Sequence, residues 1–549
     1  MLRPRQALAA LLLLLCPGRA DAYEFEVNSQ TQAQGDTLHA MRLMGLRLGR
    51  SGERMIRRRI SQSIQLHLWD LAGTRQGLSL FDPEPARGPK VYFSSYFRFN
   101  NDFGSYSEAE LLIDGELRDA LDVVPELERN VLQFDLLFGY VGVEGLADGK
   151  VDVFVGRQME VQTLDWFSMD GLKVRAHLPA SLLVEAFAGA RVHENSWIAT
   201  EAMTPDGTSS ALCEEYVEGA MPGSGAWRPI DGLPVAEGSV FTSDDELCPQ
   251  REQWMPTWGA AIASEGLESV IARVSYRQTR SPSAGILGEP GRLDFEDLGY
   301  YPNEAGQAPG WGTNEERFAA SLRVPIRRAS GLQLVPYAAA RYSLLHGLLD
   351  EAHGGLRVAQ KAHSLETELF YSVPTFEGDS IFNVFSSEPY SDVRTTWQYR
   401  PTGAAWGSYS KAWGRRYHSE DSEASGQSSN EYAGGVQVGA DYRWGLQRRV
   451  RVDGFHEDGY GGQRSGAYVS SLWRWSPSTV FRTRFSVIRF DEDLRSELRG
   501  TNLGAQVGTT YQINKGVAAS LMVEHNSNHI DRFQLGAFAL VDLAFQPET

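Results

Sequence analysis

Residues 435–444 read Gly-Val-Gln-Val-Gly-Ala-Asp-Tyr-Arg-Trp, so that Val436, Val438, Ala440, Tyr442 and Trp444 alternate with Gln437, Gly439, Asp441 and Arg443. A turn follows, and the same alternation resumes with Val450 and Val452 against Arg449, Arg451 and Asp453. It recurs in Ala467, Val469, Ser471, Trp473 and Trp475, then in Phe481, Thr483, Phe485 and Val487. Further segments run through 503–511, 517–523 and 533–545. Side chains of a strand point alternately to opposite faces, so each segment has one apolar and one polar face. Segments of about ten residues with this period, joined by turn residues, are the signature of a membrane-spanning β-barrel.

A soluble barrel or sandwich also alternates. Here, however, the polar face carries arginine repeatedly, which a soluble core does not bury unpaired. Tyr and Trp also gather near segment ends, as in an interfacial girdle. The N-terminus agrees. Residues 1–22 have the form of a secretory signal, with Arg3 and Arg5, an apolar run from Ala7 to Leu15, and Ala20-Asp21-Ala22 as cleavage site. Leu13, Leu14 and Leu15 before Cys16 argue against a lipoprotein signal. No later window holds the roughly 18 apolar residues of a spanning helix, and in lipid only helices and closed barrels satisfy the backbone. A Gram-negative outer-membrane location is expected.

The formal charge of the 549-residue chain is −18. Acidity is concentrated in 103–128, 196–256 and 281–316, which read as long loops and leave the remaining chain slightly basic. Mature cysteines are Cys213 and Cys248, both within the 196–256 loop, and in an oxidising compartment they are expected to pair. Earlier strands are read at 23–27, 60–71, 91–100, 131–143, 151–158, 172–178, 182–192, 258–263, 270–279 and 317–324. Region 342–392 resists parity. The fold expected is all-β: a transmembrane antiparallel β-barrel of about 18 strands, covering 23–549, with long extracellular loops and short periplasmic turns. Alternation begins directly after the signal, leaving no room for the plug domain of a TonB-dependent transporter.

The order Phe138-Gly139-Tyr140-Val141-Gly142-Val143, a short glycine-containing turn, then Val153-Phe154-Val155-Gly156-Arg157-Gln158 resembles the alginate-export porin family and related polysaccharide-secretion barrels. The resemblance implies 18 strands and a highly basic lumen that conducts an anionic polymer. The cysteine-bearing loop at 196–256 departs from that pattern.

By parity the polar face includes Lys173, Arg175, Arg273, Arg277, Arg317, Arg323, Arg443, Arg449, Arg451, Arg474, Arg482 and Arg484. Arginine stays charged and its fork fits carboxylate or phosphate, so a ladder of such groups would concentrate anions. Bracing pairs with Asp441, Asp453 and Asp542 are the competing use. Arg157 joins the set on resemblance alone; parity puts it with Val151, Val153 and Val155, at the rim or after a bulge. Enzyme motifs are missing: no G-x-S-x-G, H-E-x-x-H or P-loop occurs, and Ser520 and His525 differ in parity. No cofactor or metal is expected, nor a nucleic-acid partner. The function expected is a porin exporting an extracellular, anionic polysaccharide, embedded in outer-membrane lipid and lipopolysaccharide and served by periplasmic and inner-membrane export components. An anion-selective small-solute porin is the second reading, and a structural or adhesive barrel the third.

A Cys213–Cys248 disulfide would close roughly 35 residues and contribute about 3–4 kcal/mol to that loop in the entropic description. Mass spectrometry of the protein from its native envelope should find both thiols bonded; two free thiols would exclude the pair.

Overall fold

The structure, a computed structural model, describes the strands given below, most short turns between them, and two small hairpins, Arg42–Leu43 with Leu46–Arg47 and Glu110–Ile113 with Glu116–Asp119. Residues 1–23, 103–109, 120–132, 193–254, 285–309, 374–388, 419–431 and 546–549 are among those outside the description. The expected signal, both cysteines and most of the acidic loops fall there.

The first strands are β1 (Glu24–His39), β2 (Arg54–Trp69), β3 (Lys90–Asp102), β4 (Gln133–Gly145) and β5 (Val151–Val161). Next come β6 (Trp166–Leu178), β7 (Leu182–Val192), β8 (Pro256–Ser264), β9 (Ile271–Ala284) and β10 (Gly310–Arg323). Ile326–Arg327 carries β10 past Pro325 against the same partner strand. They are followed by β11 (Leu332–Ser343), β12 (Leu348–Gln360), β13 (His363–Ser372), β14 (Tyr390–Tyr399) and β15 (Trp406–Tyr417). The last are β16 (Tyr432–Trp444), β17 (Arg448–Gly459), β18 (Gly462–Ser476), β19 (Thr479–Glu492), β20 (Gly500–Asn514), β21 (Val517–Ser527) and β22 (Gln534–Phe545).

Each strand pairs antiparallel with its neighbours in sequence, and β1 closes the ring by pairing with both β2 and β22. Closure leaves no edge, so the wall meets the demand that lipid makes on every backbone group. The outward row is apolar and exposed: Val155, Leu172, Ile262, Leu369, Val438, Val452, Phe485, Val507 and Leu521 all stand there. At one end the outer face carries three aromatic groups in ring contact, Trp397–Tyr399–Trp406, Tyr442–Trp444 and Trp473–Trp475. That aromatic girdle lies at the end of the short turns 146–150, 179–181, 361–362, 445–447, 477–478 and 515–516, which also carries both ends of the described chain. Short turns and termini belong to the periplasmic side, long connections to the outside.

The ring has 22 strands, not the 18 expected from the sequence. The unread strands are β11 to β15. Their outward positions are small in part, with Ala338, Ala340, Ala352 and Gly354, and so contrast little with inward Ala339 and Gly355. A register shift after Arg341 leaves Asp350 as an extra residue and flips the parity of β12 near its start. The third acidic stretch, 281–316, also ends inside β10, where Glu315 and Glu316 are strand residues.

Val507 in mid-β20 faces out and its neighbour Gln506 faces in, bonded to Glu524 at 3.1 Å. Val507→Arg should destabilise the folded barrel by about 2–4 kcal/mol, while Gln506→Arg, beside Glu524, should cost less than about 1 kcal/mol. Urea titration of the barrel in lipid vesicles measures both; equal costs would invert the assignment of faces.

Candidate functional site: the inner wall

Cross-strand register fixes which residues share the inner face, because directly paired residues point the same way. The inward line Gly407, Asp441, Arg451, Ser470, Arg484, Gln506, Glu524 is continuous from β15 to β21. A second, parallel line joins Arg443, Arg449, Leu472 and Arg482. Inward residues of β5 to β11 form corresponding lines through Lys173, Arg175, Arg273, Arg277 and Arg317.

The two arcs of wall differ chemically. From β5 to β9, and along the outer halves of β10 to β12, the interior is packed and its charges are paired. Lys173 is buried on Glu160, with Phe154 beneath its ammonium at 5.0 Å. Arg175 bonds Glu185 at 2.7 Å, and Arg273 reaches the other oxygen of the same carboxylate. Fully buried Glu315 lies between Arg277 and Arg317, with Arg191 at 3.9 Å. The Phe167 ring packs on Phe187 and under Arg277 at 4.6 Å. Arg341 of β11 holds Asp350 at 3.0 Å and Glu351 at 3.3 Å, and also donates to the Leu164 carbonyl in the connection between β5 and β6. Leu164 is thereby held against the inner face of β11.

From β16 to β19 the wall is open. Arg443 and Arg449 share Asp441 at 3.3 and 3.4 Å, and Arg451 bonds Asp453 at 2.9 Å. Their side chains keep 40–44% of their surface in contact with solvent. Arg451 and Gln437 donate to the Tyr409 hydroxyl, which in turn donates to Asp453. Gly439 makes room for this cluster: a Cβ there would lie 2.3 Å from both the Tyr409 ring and the Asp453 carboxylate. Arg484 lies over the Tyr468 ring at 4.7 Å. Among the described residues, Arg474, Arg482 and Arg484 have no acidic partner. Counting Arg464, which holds Glu457 at 2.6 Å, seven inward arginines here therefore face three carboxylates, and the excess is presented to water. Exposed guanidinium groups attract anions collectively, over a screening length of about 8 Å at physiological salt.

The residues anticipated from sequence thus divide. Lys173, Arg175, Arg273, Arg277 and Arg317 are inward but tied to buried carboxylates. Arg443, Arg449, Arg451, Arg474, Arg482 and Arg484 form the open wall, and Arg323 is inward at the periplasmic end of β10. Arg157 is turned away from the lumen. It lies in the outward register beside Gly139 and is 2% exposed, its fork closed on Asp170 at 2.7 and 2.8 Å. It also donates at 2.9 Å to the carbonyl of Leu136, where a bulge shifts the β3–β4 register. Asp542 does not brace any of these arginines; it accepts from Gln30. Inward Lys411, Arg341, Arg357, Arg394 and Arg415 went unread because they lie in the strands whose parity was obscured. Ser520 bonds Thr510 on the inner face and His525 points outward, so they form no pair.

No family model matches the chain, and no curated protein matches it. Among solved structures it is similar to OccAB1 of Acinetobacter baumannii (10% identity, 96% of this chain and 97% of that one, TM-score 0.33). It is also similar to OccAB2 of the same organism (8%, 96% and 99%, TM-score 0.37) and to OpdK of Pseudomonas aeruginosa, solved with vanillate (9%, 95% and 99%, TM-score 0.33). At such identities and scores, function rests on the chain's own residues. The closed ring, the apolar belt and the charged interior are those of a membrane-spanning β-barrel. They give no support to the alginate-export resemblance.

Glu315→Gln would leave three clustered guanidinium groups without their carboxylate and should cost about 3–5 kcal/mol. Asp441→Asn, whose arginine partners remain 40–58% exposed, should cost less than Glu315→Gln and raise anion over cation permeability. Unfolding in urea and reversal potentials in planar bilayers check both; equal stability losses would show the two arcs to be alike.

Proposed function

We propose that the protein is an outer-membrane porin for small anions, drawn through the lumen along the arginine wall of β16 to β19. The observation that carries this reading is the uncompensated set Arg474, Arg482 and Arg484 beside Arg443, Arg449 and Arg451, which share only Asp441 and Asp453. Successive forks in water offer many weak sites and no tight one, as conduction requires. The packed arc from β5 to β12 and the inward contact of Leu164 with Arg341 favour small solutes over a polymer. Polysaccharide export therefore gives way to the small-anion reading, which calls for no periplasmic or inner-membrane export components. An adhesive role would rest on acidic loops that lie outside the described residues.

The test is collective, since screening makes any single arginine weak. Arg449, Arg451, Arg482 and Arg484 are changed together to Glu, and assembly is confirmed by heat-modifiable migration. Reversal potentials under a KCl gradient should move from anion toward cation preference. An unchanged selectivity would reduce the wall to bracing and remove the proposed function.

A further inference from the structure

The outward face of β9 to β16 holds a groove of about 1170 Å³ that the conduit does not use. Two lines of paired residues enclose it. The lower runs Leu322, Ala338, Gly354, Leu369, Val393, Gly414, and the upper runs Ala320, Ala340, Ala352, Tyr371, Ser391, Arg416. Both belong to the lipid-facing row, on which Leu322, Leu369 and Val393 are exposed. Alanine and glycine form the floor on β10 to β12, and those three larger side chains stand beside it as walls.

The groove is oblique. Lines of paired residues run perpendicular to the strands, so a strand tilt of about 40° inclines them to the membrane plane. At about 4.8 Å per strand, the path from β10 to β15 changes depth by about 15 Å, half of a hydrocarbon core about 30 Å thick. It rises toward β15, because Ala352 lies eight residues from the periplasmic end of its strand and Arg416 lies ten. Arg416 shares the outward row of Trp406 in the periplasmic girdle. At about 3.3 Å per residue and the same tilt it stands about 25 Å above that girdle, the height of the apolar band.

The upper end is polar and cationic. Arg416 lies over the exposed Tyr432 ring at 5.8 Å. Its register partner Ser391 shares a hydrogen bond of 2.7 Å with His418. An arginine on the lipid face is costly at midplane and tolerated at the interface. Among the described residues, the outward row of β13 to β16 carries no carboxylate.

We infer that the groove binds an outer-leaflet lipopolysaccharide, with one acyl chain along the alanine floor and a phosphate of the glycolipid on Arg416. The groove descends through the depth of one leaflet, and the arginine fork fits a phosphate at its upper end. The small floor residues let a chain lie against the wall with Leu369 and Val393 beside it. A second copy docked face to face through this groove would bring another Arg416 toward the first, so charge favours the anionic lipid. The site shares the outer-membrane placement of the proposed function and none of its arginine path, so either can fail alone.

The full-length protein is placed in phosphatidylcholine nanodiscs with rising amounts of lipid A, or of lipid A stripped of its phosphates. Bound lipid is counted by native mass spectrometry. Wild type should be half-occupied by lipid A at a content about tenfold lower than by the dephosphorylated lipid. R416Q should raise the half-saturating content of lipid A about tenfold and remove the preference for phosphate, and R416K should restore part of both. A340F/A352F fills the floor with apolar bulk that suits a lipid face, and should weaken both lipids about tenfold. R448Q, at a lipid-facing arginine over Trp473 near the periplasmic end, should change neither. Unchanged binding in R416Q would overturn the headgroup position, and unchanged binding in A340F/A352F would overturn the groove. A wild-type dimer that holds no lipid A and is split by A340F/A352F would overturn the proposal in favour of a second copy. A barrel without anion preference that still holds lipid A would sink the proposed function and keep this site. Should A340F/A352F fail to assemble, A352L is read instead, expected to shift half-occupancy about threefold; no shift would overturn the groove.

Discussion

Every backbone N–H and C=O that crosses the hydrocarbon must find a partner within the protein, and the rest of this structure follows from that requirement. It is met by 22 strands closed through β1, which lies between β22 and β2. Once the ring is closed, the pleat sends alternate side chains to lipid and to lumen, with no third choice. Apolar residues such as Val438 and Phe485 go out, and the charged partners of their neighbours are forced into one interior. The lumen is basic because the residues excluded from the lipid face are basic.

Inside, burial divides the charges. Where β5 to β9 and the outer halves of β10 to β12 pack aromatic and bulky residues into the lumen, the cations are partly withdrawn from water and meet carboxylates, as Arg277 and Arg317 meet Glu315. Leaving any of these unpaired would be costly. Where the wall from β16 to β19 stays wet, a cation needs no partner, and Arg474, Arg482 and Arg484 have none among the described residues. Exposure thus separates bracing charges from those available to a solute.

Much of this was legible along the chain, and the limits have local causes. Residues 435–444 state their two faces outright, since Val, Tyr and Trp alternate with Gln, Asp and Arg. Region 332–417 does not, because Ala338, Ala340, Ala352 and Gly354 put little apolar bulk on the lipid side and Asp350 breaks the count within β12. The shortfall from 22 strands to 18 lies in those strands. Arg157 entered the lumen set on resemblance alone; its parity with Val151, Val153 and Val155 had already placed it on the outward row, where it meets Asp170 and the Leu136 carbonyl.

The sequence by itself determined that this is an all-β membrane wall, which residues of the well-patterned strands face its interior, and that this interior is rich in arginine, because alternation is a property of consecutive residues. Only the tertiary structure decided how many strands close the ring and which arginines remain open to solutes. Those outcomes depend on register between strands distant in sequence: Glu185 meets Arg273 88 residues away, and Arg341 meets the Leu164 carbonyl across 177. A charge becomes a brace or a binding group according to what lies across from it, and no period within a single strand carries that information.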